Sequence, residues 1–177
     1  LHEYSMTTAY NLSTASFVSS IDVDGASKIV LSHTGSHMYF ASGNFIRQYL
    51  SDGTAHAPVT PVSSGDAWTF DNANIVHLQD NTNIQVNKFT MSSDGTKLYD
   101  INSRYIRQYN LSTAYDISTA SYSTQVDAYY RIDNEYPRAI EISSDGTKMY
   151  VAQYDDDKIF QFSLSTPFSL STMGNSI

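Results

Sequence analysis

Ile140–Val151 reads IEISSDGTKMYV, and Ile159–Thr166, a short step further on, reads IFQFSLST. Ile140 and Ile142 alternate with polar neighbours, as a half-buried strand over Ala139–Ser143 requires. Ser144-Asp145-Gly146-Thr147 supplies a tight turn, because Asp favours turn starts and Gly146 tolerates a positive φ. Lys148–Tyr154 then reads as a second strand with Met149 and Val151 on one face. Asp155-Asp156-Asp157 forms the next turn, and Lys158–Leu164 a third strand with apolar residues on both faces. Ser165–Ser169, with Pro167, turns the chain again, and Leu170–Met173 begins a short outer strand. The unit is a four-stranded antiparallel meander.

Moving outward from that unit, the same letters return. Ile29–Phe40 (IVLSHTGSHMYF) and Phe89–Asp100 (FTMSSDGTKLYD) repeat the first half of the pattern. Leu1–Tyr4 (LHEY), Ile46–Tyr49 (IRQY) and Ile106–Tyr109 (IRQY) repeat the third strand, spaced with Ile159 by 45, 60 and 53 residues. Met6–Ser16 (MTTAYNLSTAS) and Leu111–Ser121 (LSTAYDISTAS) repeat the segment that follows it, matched by Leu164–Met173 (LSTPFSLSTM), while Leu50–Ser63 is a degenerate copy. Periods of this size point to propeller blades rather than helical repeats, and no segment carries an i, i+3, i+4 apolar stripe with caps. The expected fold is all-β: three full four-stranded blades plus a half blade. The repeats divide the single propeller region into residues 1–16, 17–64, 65–122 (a blade with an insertion) and 123–177. The chain opens at a third strand and closes after a fourth. It is thus expected to be part of a larger propeller or assembly, a small ring with one thin blade, or a subunit whose orphan hairpin pairs with a neighbour. The residues expected at such an assembly contact are Leu1, Tyr4 and Tyr10. An uncovered sheet edge promotes association.

The composition narrows the function classes. In 177 residues, 41% are hydrophobic and 16% charged, enough apolar content for a packed core. Ten basic against 18 acidic residues give a net charge of −8, which repels phosphate backbones and argues against a nucleic-acid partner. No long apolar run calls for membrane insertion. Without cysteine there is neither a disulfide nor thiol chemistry. Leu1 is preceded by no charged and apolar leader, so the sequence is expected to be a processed or partial chain.

The unit S-D-G-T-K-M-Y-V followed by I-x-Q-Y-x-L-S-T, at Ser144–Val151 with Ile159–Thr166 and at Ser93–Tyr99 with Ile106–Thr113, resembles YVTN-like β-propeller repeats. The longer form at Gln108–Ser121 is similar to repeats of marine bacteriophage virion or fibre proteins and of marine bacterial surface proteins. The first copy departs from the pattern, with His33-Thr34-Gly35-Ser36-His37 in place of the Ser-Asp-Gly-Thr-Lys turn. The resemblance implies a non-enzymatic structural or adhesive propeller of a virion surface, such as a tail-fibre or decoration protein. Its partners would be other subunits in a homo-oligomer or large assembly, or a cell-surface glycan, and its place extracellular. A secreted bacterial adhesin or filament subunit is one alternative; a metal-dependent propeller hydrolase or lyase is another. Propellers host all three, so fold does not choose among them.

Site candidates follow from residues outside the repeated strands. Tyr39, Tyr99 and Tyr150, and likewise Tyr4, Tyr49 and Tyr109, recur at matching strand positions and are expected to pack between blades. Trp68, Tyr129, Tyr130 and Tyr136 do not recur. They are the candidates for stacking on sugar rings or a protein partner, with local loop packing as the plainer alternative. Trp68 lies in the long outer region Thr54–Asn87 of the second copy, where an insertion can carry function. Asp155, Asp156 and Asp157 could hold calcium or form a solvated turn, and Asp22–Gly25 begins like a calcium loop without its later ligands. No other cofactor is called for. His33 and His37 straddle a turn rather than share a helix face, and no HExxH, GxSxG or phosphate-binding glycine loop is present. The sequons at Asn11 and Asn110 recur because the repeat does.

Overall fold

The computed structural model describes residues 2–7, 13, 15–20, 28–33, 37–42, 45–51, 68–77, 88–153 and 157–176. Strands β1 (His2–Met6) and β2 (Ala15–Ser20) form a two-stranded hairpin. The first blade is β3 (Lys28–Leu31), β4 (His37–Ser42), β5 (Phe45–Ser51) and β6 (Trp68–His77). The second is β7 (Phe89–Met91), β8 (Lys97–Asn102), β9 (Tyr105–Leu111) and β10 (Ala120–Asp127). The third is β11 (Pro137–Ile142), β12 (Lys148–Gln153), β13 (Ile159–Leu164) and β14 (Met173–Ser176). Each blade is an antiparallel meander in chain order, so three blades and a half blade are present among the described residues. Strand β6, which the sequence division places after residue 64, pairs with β5 through Ser51↔Trp68 and Ile46↔Val76 and so belongs to the first blade.

One local expectation is corrected. Leu170–Thr172 is a 3-10 turn, and the outer strand starts only at Met173. The reason is local hydrogen bonding by Ser and Thr, which competes with the sheet ladder. The Thr172 amide donates to the Ser169 carbonyl at 3.0 Å, and the Thr172 hydroxyl donates to the same carbonyl at 2.8 Å. Ile117–Thr119 makes the matching turn in the second blade, where the Asp116 carboxylate accepts from the Ser118 amide at 2.9 Å.

The S-x-D-G-T-K turn is a closed network. The Asp145 carboxylate accepts from the Ser143 hydroxyl at 2.6 Å, the Thr147 amide at 3.0 Å and the Thr147 hydroxyl at 2.9 Å. Asp94 does the same with Ser92 and Thr96 in the second blade. Gly146 sits at φ +70° and Gly95 at φ +71°. At either one, an added Cβ would lie within 2.7 Å of an aromatic ring, that of Phe168 over Gly146 and that of Tyr115 over Gly95. Glycine is needed here both for the left-handed backbone and to seat that ring.

Neighbouring blades stack through apolar layers. Tyr39, Ile46, Phe89, Leu98 and Ile117 fill the layer between first and second blades. Tyr99, Ile106, Ile140, Met149, Val151 and Phe162 fill the one between second and third. A repeated latch fixes the stacking. The Tyr39 hydroxyl donates to the Tyr115 carbonyl at 2.7 Å, and the Ile117 amide donates to the Gln48 side-chain carbonyl at 3.1 Å. One blade on, Tyr99 donates to the Phe168 carbonyl at 2.7 Å, and the Leu170 amide donates to Gln108 at 2.7 Å. In each case a Tyr and a Gln directly opposite one another on the second and third strands hold the loop of the next blade. Burial pushes both phenols well above the usual tyrosine range, so they stay protonated donors.

The second blade alone carries a buried ion pair among the described residues. The Arg107 Nε donates to Asp100 at 2.8 Å, and a second guanidinium nitrogen bonds the other carboxylate oxygen. The two side chains are 1% and 0% exposed. At the equivalent cross-strand site the third blade has Val151 opposite Phe160.

Candidate functional site: an aromatic and basic patch between the second and third blades

The segment from β10 to β11 runs beside the β8–β9 turn, the Ala128 amide donating to the Arg104 carbonyl at 2.9 Å. Tyr129–Arg131 makes one 3-10 turn, held by the Arg131 amide on the Ala128 carbonyl at 2.9 Å. Asp133 and Asn134 follow at φ +58° and +62°, a conformation that short polar side chains adopt more readily than others. Arg131 Nη1 donates to the carbonyls of Met173 and Gly174 at 3.1 and 2.9 Å, tying the connection to the outer strand of the third blade. Lys158 pairs with Asp133 at 3.0 Å from the β12–β13 turn.

This path brings together three of the expected aromatic residues. The Tyr129 ring meets those of Tyr130 and Tyr136 edge-on, each with centroids 5.3 Å apart. Arg104 lies under the group, its guanidinium carbon 5.2 Å from the Tyr129 ring centre, 4.6 Å from Tyr130 and 5.6 Å from Tyr105. A two-point bond to Asp127, with Nε at 3.0 Å, fixes the guanidinium and holds it charged. Cation–π contact and edge-to-face packing both favour such a cluster. Its outer members remain available: Tyr130 is 68% exposed and Tyr136 51%.

Tyr136 also borders a cleft of about 200 Å³ lined by Lys88, Ile101, Ser103, Pro137 and Arg138. Lys88 donates to the Pro137 carbonyl at 3.3 Å across the blade boundary. Partial burial, and Arg138 nearby, pull its ammonium below the ordinary lysine range. The patch therefore presents flat tyrosine faces beside two cationic groups.

The remaining candidates fall elsewhere. Trp68 opens β6, but its side chain is outside the described residues. Asp155 and Asp156 lie outside them too, and Asp157 is exposed at φ +51°. Among the described residues no three acids or histidines gather at a metal-binding distance. Leu1 and Tyr10 are outside the described residues; Tyr4 lies in β1 opposite Phe17. Asp22–Gly25 is also outside. His37 stacks on Tyr39 and Tyr115, with centroids 6.2 and 5.6 Å away. Asn110 of the second sequon accepts from Gln108 at 3.0 Å within β9. Among the described residues no helix is long and apolar enough to cross a membrane. The sequence reading missed Arg104, Asp127, Lys88 and Arg138. Arg104 does carry a signal in hindsight: it occupies a turn where the third blade has a run of acids.

No protein family matches the chain, and no curated protein does. Solved structures do. The β-propeller domain of Cps50 (Swd1) from Myceliophteria thermophila aligns at 13% identity and a TM-score of 0.56, over 77% of this chain and 39% of that one. A protein of Lactobacillus plantarum aligns at 15% and 0.59, over 98% and 47%. A Bacteroides fragilis protein provisionally named a 6-phosphogluconolactonase aligns at 14% and 0.56, over 99% and 48%. The chain thus spans less than half the length of each. At these identities the likeness is one of fold, and together with the three meanders it establishes an all-β architecture of propeller blades.

Proposed function

We propose that this chain is a non-enzymatic binding and scaffolding propeller whose tyrosine patch holds a glycan. The observation that carries the reading is the exposure of Tyr130 and Tyr136 on a cluster that Tyr129 and Arg104 hold rigid. Rigid aromatic faces bind with little loss of side-chain entropy, and Tyr adds a hydroxyl for the rim of a sugar. Lys88 and Arg138 at the adjoining cleft favour sugars with carboxylate or sulfate groups. The setting proposed is extracellular, on a virion surface or fibre. It is supported by the repeat resemblance and by the acidic, cysteine-free composition.

The test is glycan-array binding followed by calorimetry on the strongest hit. Tyr130→Ala and Tyr136→Ala should each weaken binding by tenfold or more with an unchanged melting temperature. Arg138→Ala should reduce binding of charged sugars only. An array without hits, or hits untouched by both tyrosine variants, would overturn the glycan reading.

A further inference from the structure

Lys88 and Arg138 belong to different blades and border the same cleft. Lys88 immediately precedes β7, and its carbonyl accepts from the Ile101 amide at 2.9 Å, which fixes it to the second blade. Its side chain crosses to the third blade, where the ammonium donates to the Pro137 carbonyl at 3.3 Å. Among the described residues that half-buried ammonium has no carboxylate partner. An ammonium carries three donors, and one carbonyl engages one of them. Burial, and then the like charge of Arg138, work against its protonated form. A cation so placed gains strongly from an anion beside it.

The third blade is shaped to meet it. In the repeat, Ala139 stands where the second blade has Lys88, so a small side chain replaces a long one. The positive charge comes one residue earlier. Strand β11 carries a bulge at Arg138, between the opposed pairs Pro137↔Gln153 and Ala139↔Ala152, whereas β3 and β7 pair with their neighbours in unbroken register. Such a bulge re-aims a side chain, and Arg138 lines the cleft of about 200 Å³ together with Lys88 and Ser103. Ser103, at φ +55° in the β8–β9 turn, adds a hydroxyl to that lining. Gln153, directly opposite Pro137, shares its sheet face. It is 6% exposed, and neither atom of its amide is bonded among the described residues. In a chain of net charge −8, two cations from different blades and a hydroxyl thus converge on one cleft.

We propose that this cleft binds one oxyanion, a carboxylate, sulfate or phosphate group, bridging Lys88 of the second blade and Arg138 of the third. Bound there, the anion ties the start of β7 to the start of β11 and strengthens the boundary between the blades. The site takes the anion whether or not a sugar carries it, so the proposal goes beyond glycan binding and does not need it.

Calorimetric titration of the 177-residue chain with sodium sulfate, and separately with glucuronate, is the test, at constant ionic strength in chloride. Sulfate should bind once per chain, and glucuronate should compete with it. At a hundredfold excess over Kd, sulfate should raise the melting temperature by about 5–10 °C relative to chloride. Lys88→Met, which keeps the aliphatic stem, should weaken sulfate binding at least tenfold, and Arg138→Gln several-fold. Lys148→Met, at an exposed position in the turn at the far end of β11, should bind as the parent does. Each variant is compared with its own melting temperature in chloride, which separates loss of fold from loss of the site; the exposed Arg138 position serves if Lys88→Met does not fold. No saturable sulfate binding, or binding that Lys88→Met and Arg138→Gln leave unchanged, would overturn the proposal. So would an equal loss in Lys148→Met. Glucuronate binding without sulfate binding would overturn the free-anion site and leave glycan binding standing. Sulfate binding in a protein that holds no glycan on the array would support the site and remove the glycan.

Discussion

Ile106 and Ile159 begin the same motif in successive blades, yet one is completely buried and the other is 72% exposed. Among the described residues the second blade packs against both the first and the third, while the third packs against the second. The two blades also solve one interior position differently. The second places Asp100 and Arg107 where the third places Val151 and Phe160. A repeat thus fixes the outline of a blade, while neighbours decide what each position contributes to stability.

The interior position gives the largest expected effect. Arg107→Met should destabilise the fold by about 3–5 kcal/mol, because it leaves the Asp100 carboxylate buried without its charge partner. Installing the third blade's solution, Asp100→Val with Arg107→Phe, should recover most of that loss, since a packed apolar pair avoids the desolvation cost. Chemical denaturation of the single and double variants measures both. A double variant no more stable than the single would show that the two blades are not interchangeable here.

Next in size is the covered against the uncovered isoleucine. Ile106→Ala should cost about 2–5 kcal/mol through lost burial and the cavity left behind. Ile159→Ala should stay within about 0.5 kcal/mol at concentrations where the chain is single. Equal losses would mean that Ile159 is already covered in solution.

The smallest effect concerns the turn that both blades share. Hydrogen bonds from Ser143, then from the amide and hydroxyl of Thr147, depress the Asp145 carboxyl to about 2. In Asp94, burial pushes upward, but bonds from Ser92 and Thr96 and the charge of Lys97 outweigh it, so its direction is also down. A carboxyl depressed in the folded state stabilises above its unfolded pKa, about 3.9. That contribution disappears as pH falls toward the folded value. Melting temperatures between pH 5 and 2 should therefore decline less steeply in Asp145→Asn than in the parent, and the same holds for Asp94→Asn. Parallel declines would remove the turn carboxylates from the acid response.

What was readable from sequence in this molecule is what depends on near neighbours along the chain. The two-residue alternation at Ile140 and Ile142 and the S-x-D-G-T-K turns, with glycine at positive φ, marked meandering strands. So did the recurrence of I-x-Q-Y. Each of these acts within one blade. The Leu170–Thr172 turn was misread as strand because its Ser and Thr side chains bond backbone only a few residues away, a preference that composition alone does not separate from a strand. Tyr129, Tyr130 and Tyr136 stood out as unrepeated aromatics. That they close on Arg104 was decided by stacking the second blade on the third, which sets a β8–β9 turn beside a β10–β11 connection. The same stacking turned Tyr99 and Gln108 into a latch, while Tyr150 and Gln161, identical letters, are only partly buried. Local alternation and turn chemistry determine a blade; only contact between blades determines which of its faces is core and which is surface.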